Sequence, residues 1–261
     1  PSITDYGLLR VLILHIWADE DNESFDLSGM GELFLLKYLE IECNITVKLP
    51  DKDKIQWLQH LETLQVDASL SEVPSDIVNM KRLLHIRLRS EYILPSVAAH
   101  MTSLRTLGYF DIGSHSEENV LHLGRLTNLQ DLQLTWSTVG PAEKLAKNVQ
   151  LLGSILEKLT FCHSLTLVPA ASGSSCVNIP EDGFSMGFPP PGLLLRRMEL
   201  SWRCCVFFSL PKWFEELNKL SILKIGIRRL LREDIDLLKG LPALTALSLY
   251  IQTVPALTAL T

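Results

Sequence analysis

The chain has 261 residues, of which 47% are hydrophobic and 21% charged, enough apolar material for a large continuous core in one domain or two. Its formal net charge of −6 argues against a binder of phosphate backbones, which would carry a basic patch or stripe. The five cysteines (Cys43, Cys162, Cys176, Cys204 and Cys205) are odd in number and lack paired spacing, which points away from a disulfide framework and towards a reducing compartment.

From the start of the chain one spacing, LxxLxL, keeps returning. It first appears as Leu9-Leu12-Leu14, then as Leu36-Leu39-Ile41, Leu61-Leu64-Val66 and Leu83-Ile86-Leu88. It continues as Leu104-Leu107-Tyr109 and Leu129-Leu132-Leu134, with a degenerate copy at Cys162-Leu165-Leu167. Leu195-Met198-Leu200, Leu220-Leu223-Ile225 and Leu244-Leu247-Leu249 complete ten repeats, whose first residues stand 21 to 33 apart. The closing LxL of each repeat alternates as a short strand does, with leucines inward and intervening residues outward. The first leucine closes the turn that enters the strand. One repeat cannot bury its own leucines, but stacked repeats bury them against one another. The spacing therefore predicts an α/β solenoid: a leucine-rich-repeat horseshoe with a concave parallel β-sheet and an irregular or short-helical convex side.

The segments between the strands carry signals of their own. Val73-Pro74, Leu94-Pro95 and Leu210-Pro211 each precede a short amphipathic stretch, and each proline is expected to open a helical turn. Asp234 is expected to cap another short helix from the position before IDLLKGL. Residues 141–158 (PAEKLAKNVQLLGSILEK) read as a longer amphipathic helix inserted in the array. Residues 170–192, rich in Gly, Ser and Pro, read as an extended loop of functional or disordered character. The hexapeptide PALTAL at 242–247 recurs at 255–260. The first strand exposes Ile13, Ile16 and Trp17 with no repeat before them, so a preceding domain is expected to cover it in a longer parent protein. On this reading 1–261 is a single repeat domain cut from a larger protein. No apolar run reaches the roughly 18 residues needed to cross a bilayer.

Motifs of catalysis are missing. The seven histidines form neither an HExxH pair nor a zinc set with the cysteines, and no GxGxxG, P-loop or GxSxG is present. The expectation is a non-enzyme with no cofactor and no metal in this chain. The informative side chains are those between the buried leucines and just past them: Arg87, Arg89, Asp111, Asp131, Trp136, Arg197, Glu199, Trp202, Lys224 and Tyr250. Tryptophan, tyrosine and arginine on one face are enriched where protein partners are gripped, so this face is the candidate protein-binding surface.

With the repeats laid out, the chain resembles the leucine-rich-repeat region of plant intracellular immune receptors of the nucleotide-binding type, cereal ones above all. The most specific stretch is SLPKWFEELNKLSILKIGIRRLLREDIDLLKGLPALTALSLYI at 209–251; LGRLTNLQDLQL at 123–134 and LLRVLIL at 8–14 look similar to family segments too. The likeness departs in the middle repeat and in the tail. The resemblance implies a cytoplasmic defence receptor whose repeats sense a pathogen effector, directly or through a guarded host protein. It also implies that they restrain the receptor's own nucleotide-binding domain, which this chain lacks. No nucleic acid and no membrane span are expected. Two alternatives stand beside this reading, an extracellular receptor-kinase ectodomain and a substrate-selecting repeat domain of a ubiquitin ligase. The first is disfavoured because a strict period near 24 with a recurring Asn and GxIP is not kept.

Overall fold

The structure is a computed structural model that describes residues 6–18, 24–55, 57–89, 101–137, 147, 155–156, 158–169, 194–204 and 206–253. The chain divides into two compact units, Pro1–Phe110 and Asp111–Thr261.

In the first unit, strands β1 (Val11–Ile16), β3 (Tyr38–Cys43), β5 (Thr63–Asp67), β6 (His85–Leu88) and β7 (Thr106–Asp111) pair in parallel in that order. The division between the units falls inside β7, before Asp111. Each LxL contributes to columns that run across the strands: Leu12, Leu39, Leu64, Ile86 and Leu107 align in one, and Leu14, Ile41, Val66 and Leu88 in the next. The first leucine of a repeat closes its turn by donating its N–H three residues back, Leu36 to Leu33, Leu61 to Leu58, Leu83 to Met80 and Leu104 to Met101. A second device locks one repeat to the next. The Lys37 and Tyr38 amides both donate to the Arg10 carbonyl, those of Glu62 and Thr63 to Lys37, and those of Leu84 and His85 to Glu62. A small parallel pair, β2 (Ser24–Asp26) and β4 (Thr46–Lys48), lies on the return side.

The second unit repeats the design. Strands β8 (Asp131–Trp136), β9 (Ser164–Pro169), β10 (Arg197–Leu200) and β12 (Ile222–Arg229) are parallel neighbours, and β11 (Val206–Phe207) and β13 (Ala246–Thr253) also pair with β12. Leu132, Leu165, Met198, Leu223 and Leu247 form its inner column. The same paired amides recur, from His163 and Ser164 to the Gln130 carbonyl and from Arg196 and Arg197 to that of His163. The degenerate middle repeat thus folds as its neighbours do, with Cys162, Leu165 and Leu167 all buried.

The return segments follow their prolines. Pro74 (φ −58°) and Pro211 (φ −59°) each stand immediately before a 3-10 turn, Ser75–Asn79 and Lys212–Glu216, and these turns bury Ile77 and Phe214. Leu94-Pro95 lies outside the described residues, as do 170–192 and 255–260. Of 141–158 only Lys147, Ile155, Leu156 and Lys158 are described, and Ile155 and Leu156 are buried.

Three expectations need correction. Asp234 lies within the helix Arg232–Lys239 rather than before it, and its buried carboxylate accepts from the Leu231 and Leu210 N–H groups at 2.8 Å each. Tyr109 is not the third inward residue of its repeat: it has φ 62°, which shifts the strand so that Phe110 and Ile112 fill the core. Of the first strand's apolar residues, Ile13 and Trp17 are exposed as expected, but Ile16 is half-buried.

Candidate functional site

The outward side chains of the first unit are satisfied across the strands. His15 pairs with Glu42 at 2.9 Å, Gln65 donates to Glu40 at 3.3 Å, and His85 meets Thr106 at 2.9 Å. Arg87 lies half-buried with its aliphatic stem over Gly108, where an added Cβ would stand 2.6 Å from Arg87 Cγ. Arg89 donates to Asp67 at 2.9 Å, and that hydrogen bond pushes the guanidinium pKa above its ordinary value. Thr106 apart, which is buried, these groups are exposed or half-exposed, and each such pair is worth at most about 1 kcal/mol, as in a solvated ladder.

Two candidate residues of the second unit are not on an outward face. Trp136 is 3% exposed and lies in the core, with its Nε1 lacking a partner among the described residues. The reason is parity: it stands two and four residues past Leu134 and Leu132, so the period of two turns it inward. Asp111 is also buried. Its carboxylate accepts from the Gly113 N–H at 2.9 Å, the Ser137 N–H at 3.1 Å and the Ser137 hydroxyl at 2.5 Å. The His115 ring nitrogen Nδ1 donates to the Asp111 carbonyl at 2.6 Å. This polar knot ties the turn after β7 to the end of β8, so Asp111 acts in folding rather than in contact with a partner. Asp131 keeps its outward place on β8, half-buried.

The structure gathers the other five. Arg197 and Glu199 are successive outward residues of β10, 3.6 Å apart as an ion pair, and Glu199 aligns with Lys224 of β12. Trp202, in the turn after β10, stacks on Tyr250 of β13 with ring centroids 4.3 Å apart and planes 12° apart. The residue of β12 aligned with Tyr250 is Gly226, which puts no side chain on the intervening strand at that position. The stacked pair walls a depression of about 390 Å³, with Glu199 and Lys224 at its side and Thr166, Val168 and Ser248 among its other lining residues. Arg203 lays its guanidinium 5.4 Å from the Trp202 ring centre.

Sequence reading missed Thr166, Val168, Ser248 and Arg203. The first three occupy outward positions of β9 and β13 and were legible by the same parity. The reach of Arg203 to Trp202 had no signal. Among the described residues no group of three or more His, Cys, Asp or Glu could hold a metal ion. Burial pushes the Cys162 thiol up to about 12, which keeps it protonated at neutral pH, the form unsuited to nucleophilic attack. No helix among the described residues is long and apolar enough to cross a membrane.

Parallel strands in LxxLxL register, turn-closing first leucines and short helical returns define a leucine-rich-repeat fold. The chain belongs to the leucine-rich repeat region family, whose pattern matches residues 1–259. It is 44% identical over 256 residues to the disease resistance protein RGA5 of Oryza sativa subsp. japonica, covering 98% of this chain and 22% of that protein. It is 26% identical over 281 residues to the disease resistance protein PIK6-NP of the same organism, covering 94% of this chain and 25% of that one. The chain therefore spans about a quarter or less of the length of these relatives. The leucine-rich-repeat protein LIC12759 of Leptospira interrogans shares the fold, with a TM-score of 0.58 at 19% identity over 97% of this chain and 64% of its own.

Proposed function

We propose that this chain is the protein-binding repeat region of a plant disease resistance receptor, a non-catalytic surface that senses a pathogen effector or a guarded host protein. The observation that carries the reading is the likeness to a cereal disease resistance protein across 98% of the chain. That likeness also favours the resistance receptor over an extracellular ectodomain or a ubiquitin-ligase repeat. In this reading the repeats also contact the receptor's own nucleotide-binding domain and restrain it, and the protein works in the cytoplasm without a cofactor bound to this region.

Contact is assigned to the outward face of the second unit, at Arg197, Glu199, Trp202, Lys224 and Tyr250. Charges of both signs beside a large aromatic wall suit a protein partner. The test is a binding titration of the chain against candidate effectors and against the receptor's nucleotide-binding domain. Trp202→Ala or Tyr250→Ala is expected to cost about 2 kcal/mol of binding. Affinity left unchanged by both, but abolished by replacing 170–192, would move recognition to that segment.

A further inference from the structure

The depression beside the Trp202–Tyr250 stack has a chemical bias that narrows its ligand. Glu199 is engaged by Arg197 at 3.6 Å, whereas Lys224 is exposed and forms no ion pair among the described residues. Arg203 rests against the Trp202 ring, its guanidinium 5.4 Å from the ring centre. Lys224 and Arg203 thus bring two cations to the neighbourhood of the aromatic wall, in a chain whose overall charge is −6. The wall itself is apolar and partly open to solvent, with Trp202 38% and Tyr250 39% exposed. The volume of about 390 Å³ suits one or two side chains and not a folded domain.

We propose that this depression binds an extended partner segment in which an acidic residue adjoins an aromatic or large aliphatic one. The acidic carboxylate is held by Lys224, and the apolar side chain packs on the Trp202–Tyr250 wall. The occupant follows from charge complementarity: an exposed ammonium with no ion pair among the described residues, in the same lining as the rings, favours a carboxylate, and an aromatic surface favours an apolar neighbour. A bare polyanion fits less well, because the Glu199 carboxylate sits in the same lining. The proposal rests on the protein-binding reading and gives it a ligand chemistry.

The test uses the whole chain and three synthetic probes: acetylated, amidated Gly-Ser nonapeptides carrying a central Asp-Phe, Lys-Phe or Asp-Gly pair. Binding is followed through the indole N–H resonance of Trp202, assigned with Trp202→Phe. The Asp-Phe probe is expected to bind at least tenfold more tightly than the other two. Lys224→Glu should lower its affinity at least tenfold and raise that of the Lys-Phe probe, and Tyr250→Ala should weaken both. Unchanged circular dichroism of these surface variants shows that the fold is intact. Equal binding of Asp-Phe and Lys-Phe, indifference to Lys224→Glu, or tighter binding of a ten-nucleotide thymidine oligomer would each overturn the proposal. A protein partner bound through Arg197 or the 170–192 segment, with no preference among the probes, would sink this inference and leave the broader function standing.

Discussion

Single residues decide where the chain departs from its own repeat. Gly113 is the sharpest case, since an added Cβ would meet the Ser137 carbonyl oxygen, with Ser137 Oγ 2.7 Å away, inside the knot built on Asp111. Backbone cannot retreat as a flexible side chain can. Gly113→Ala is therefore expected to destabilise by about 2–3 kcal/mol and to lower Tm by roughly 5–10 °C. Gly124→Ala is the control. Its Cβ would stand 3.4 Å from Lys158 Cδ, an ordinary contact, and it should leave Tm nearly unchanged in the same scanning calorimetry. Tyr109 is the other residue of this kind. Its φ of 62° is costly for a bulky side chain, and it is offset by the core positions that Phe110 and Ile112 gain.

At the scale of elements, the helix Arg232–Lys239 shows how a return segment is fastened. Its first turn leaves N–H groups without helical partners, and Asp234 answers both the local one at Leu231 and a distant one at Leu210. Removing the carboxylate leaves the Leu210 amide buried and unpaired, at a cost of about 3 kcal/mol. Asp234→Ala is expected to speed amide exchange in Ile235–Leu238 about a hundredfold, measured by mass spectrometry or NMR. Exchange unchanged from the parent would show that packing of Leu238, not the carboxylate, holds the helix. The 3-10 turns after Pro74 and Pro211 lack such a side-chain cap and depend on proline's fixed φ and on the burial of Ile77 and Phe214.

Across the whole molecule, a leucine's worth is set by its place in the stack. Leu165 has a strand on either side and is 1% exposed, whereas Leu247, in the same column, lies on β13 and is 47% exposed. Nearest-neighbour packing makes stability a sum over such contacts. Leu165→Ala should cost about 3 kcal/mol, as buried leucines do. Leu247→Ala should cost less than about 1 kcal/mol, because only part of its surface is taken from water. Denaturant titration of the two variants compares them directly. Equal losses would mean that the column does not stack as described.

By itself the sequence determined the repeat. Each LxxLxL marks two inward residues and a turn, and stacking follows because no repeat can bury its leucines alone; even the degenerate Cys162-Leu165-Leu167 obeys. Parity also determined the outward places of Arg87, Arg197, Glu199, Lys224 and Tyr250, and, applied strictly, it turns Trp136 into the core. The tertiary structure decided what parity cannot express. The positive φ at Tyr109 resets the strand, and the burial of Asp111 depends on amides donated by Gly113 and by Ser137, 26 residues away. The Trp202–Tyr250 wall joins a turn residue after one strand to a residue two strands on, with Gly226 aligned with Tyr250 on the strand between, a coincidence of register that lies in no single repeat. Periodic burial is a local property that a chain writes residue by residue, whereas a site is made of side chains from different repeats, whose meeting is fixed only when the strands align.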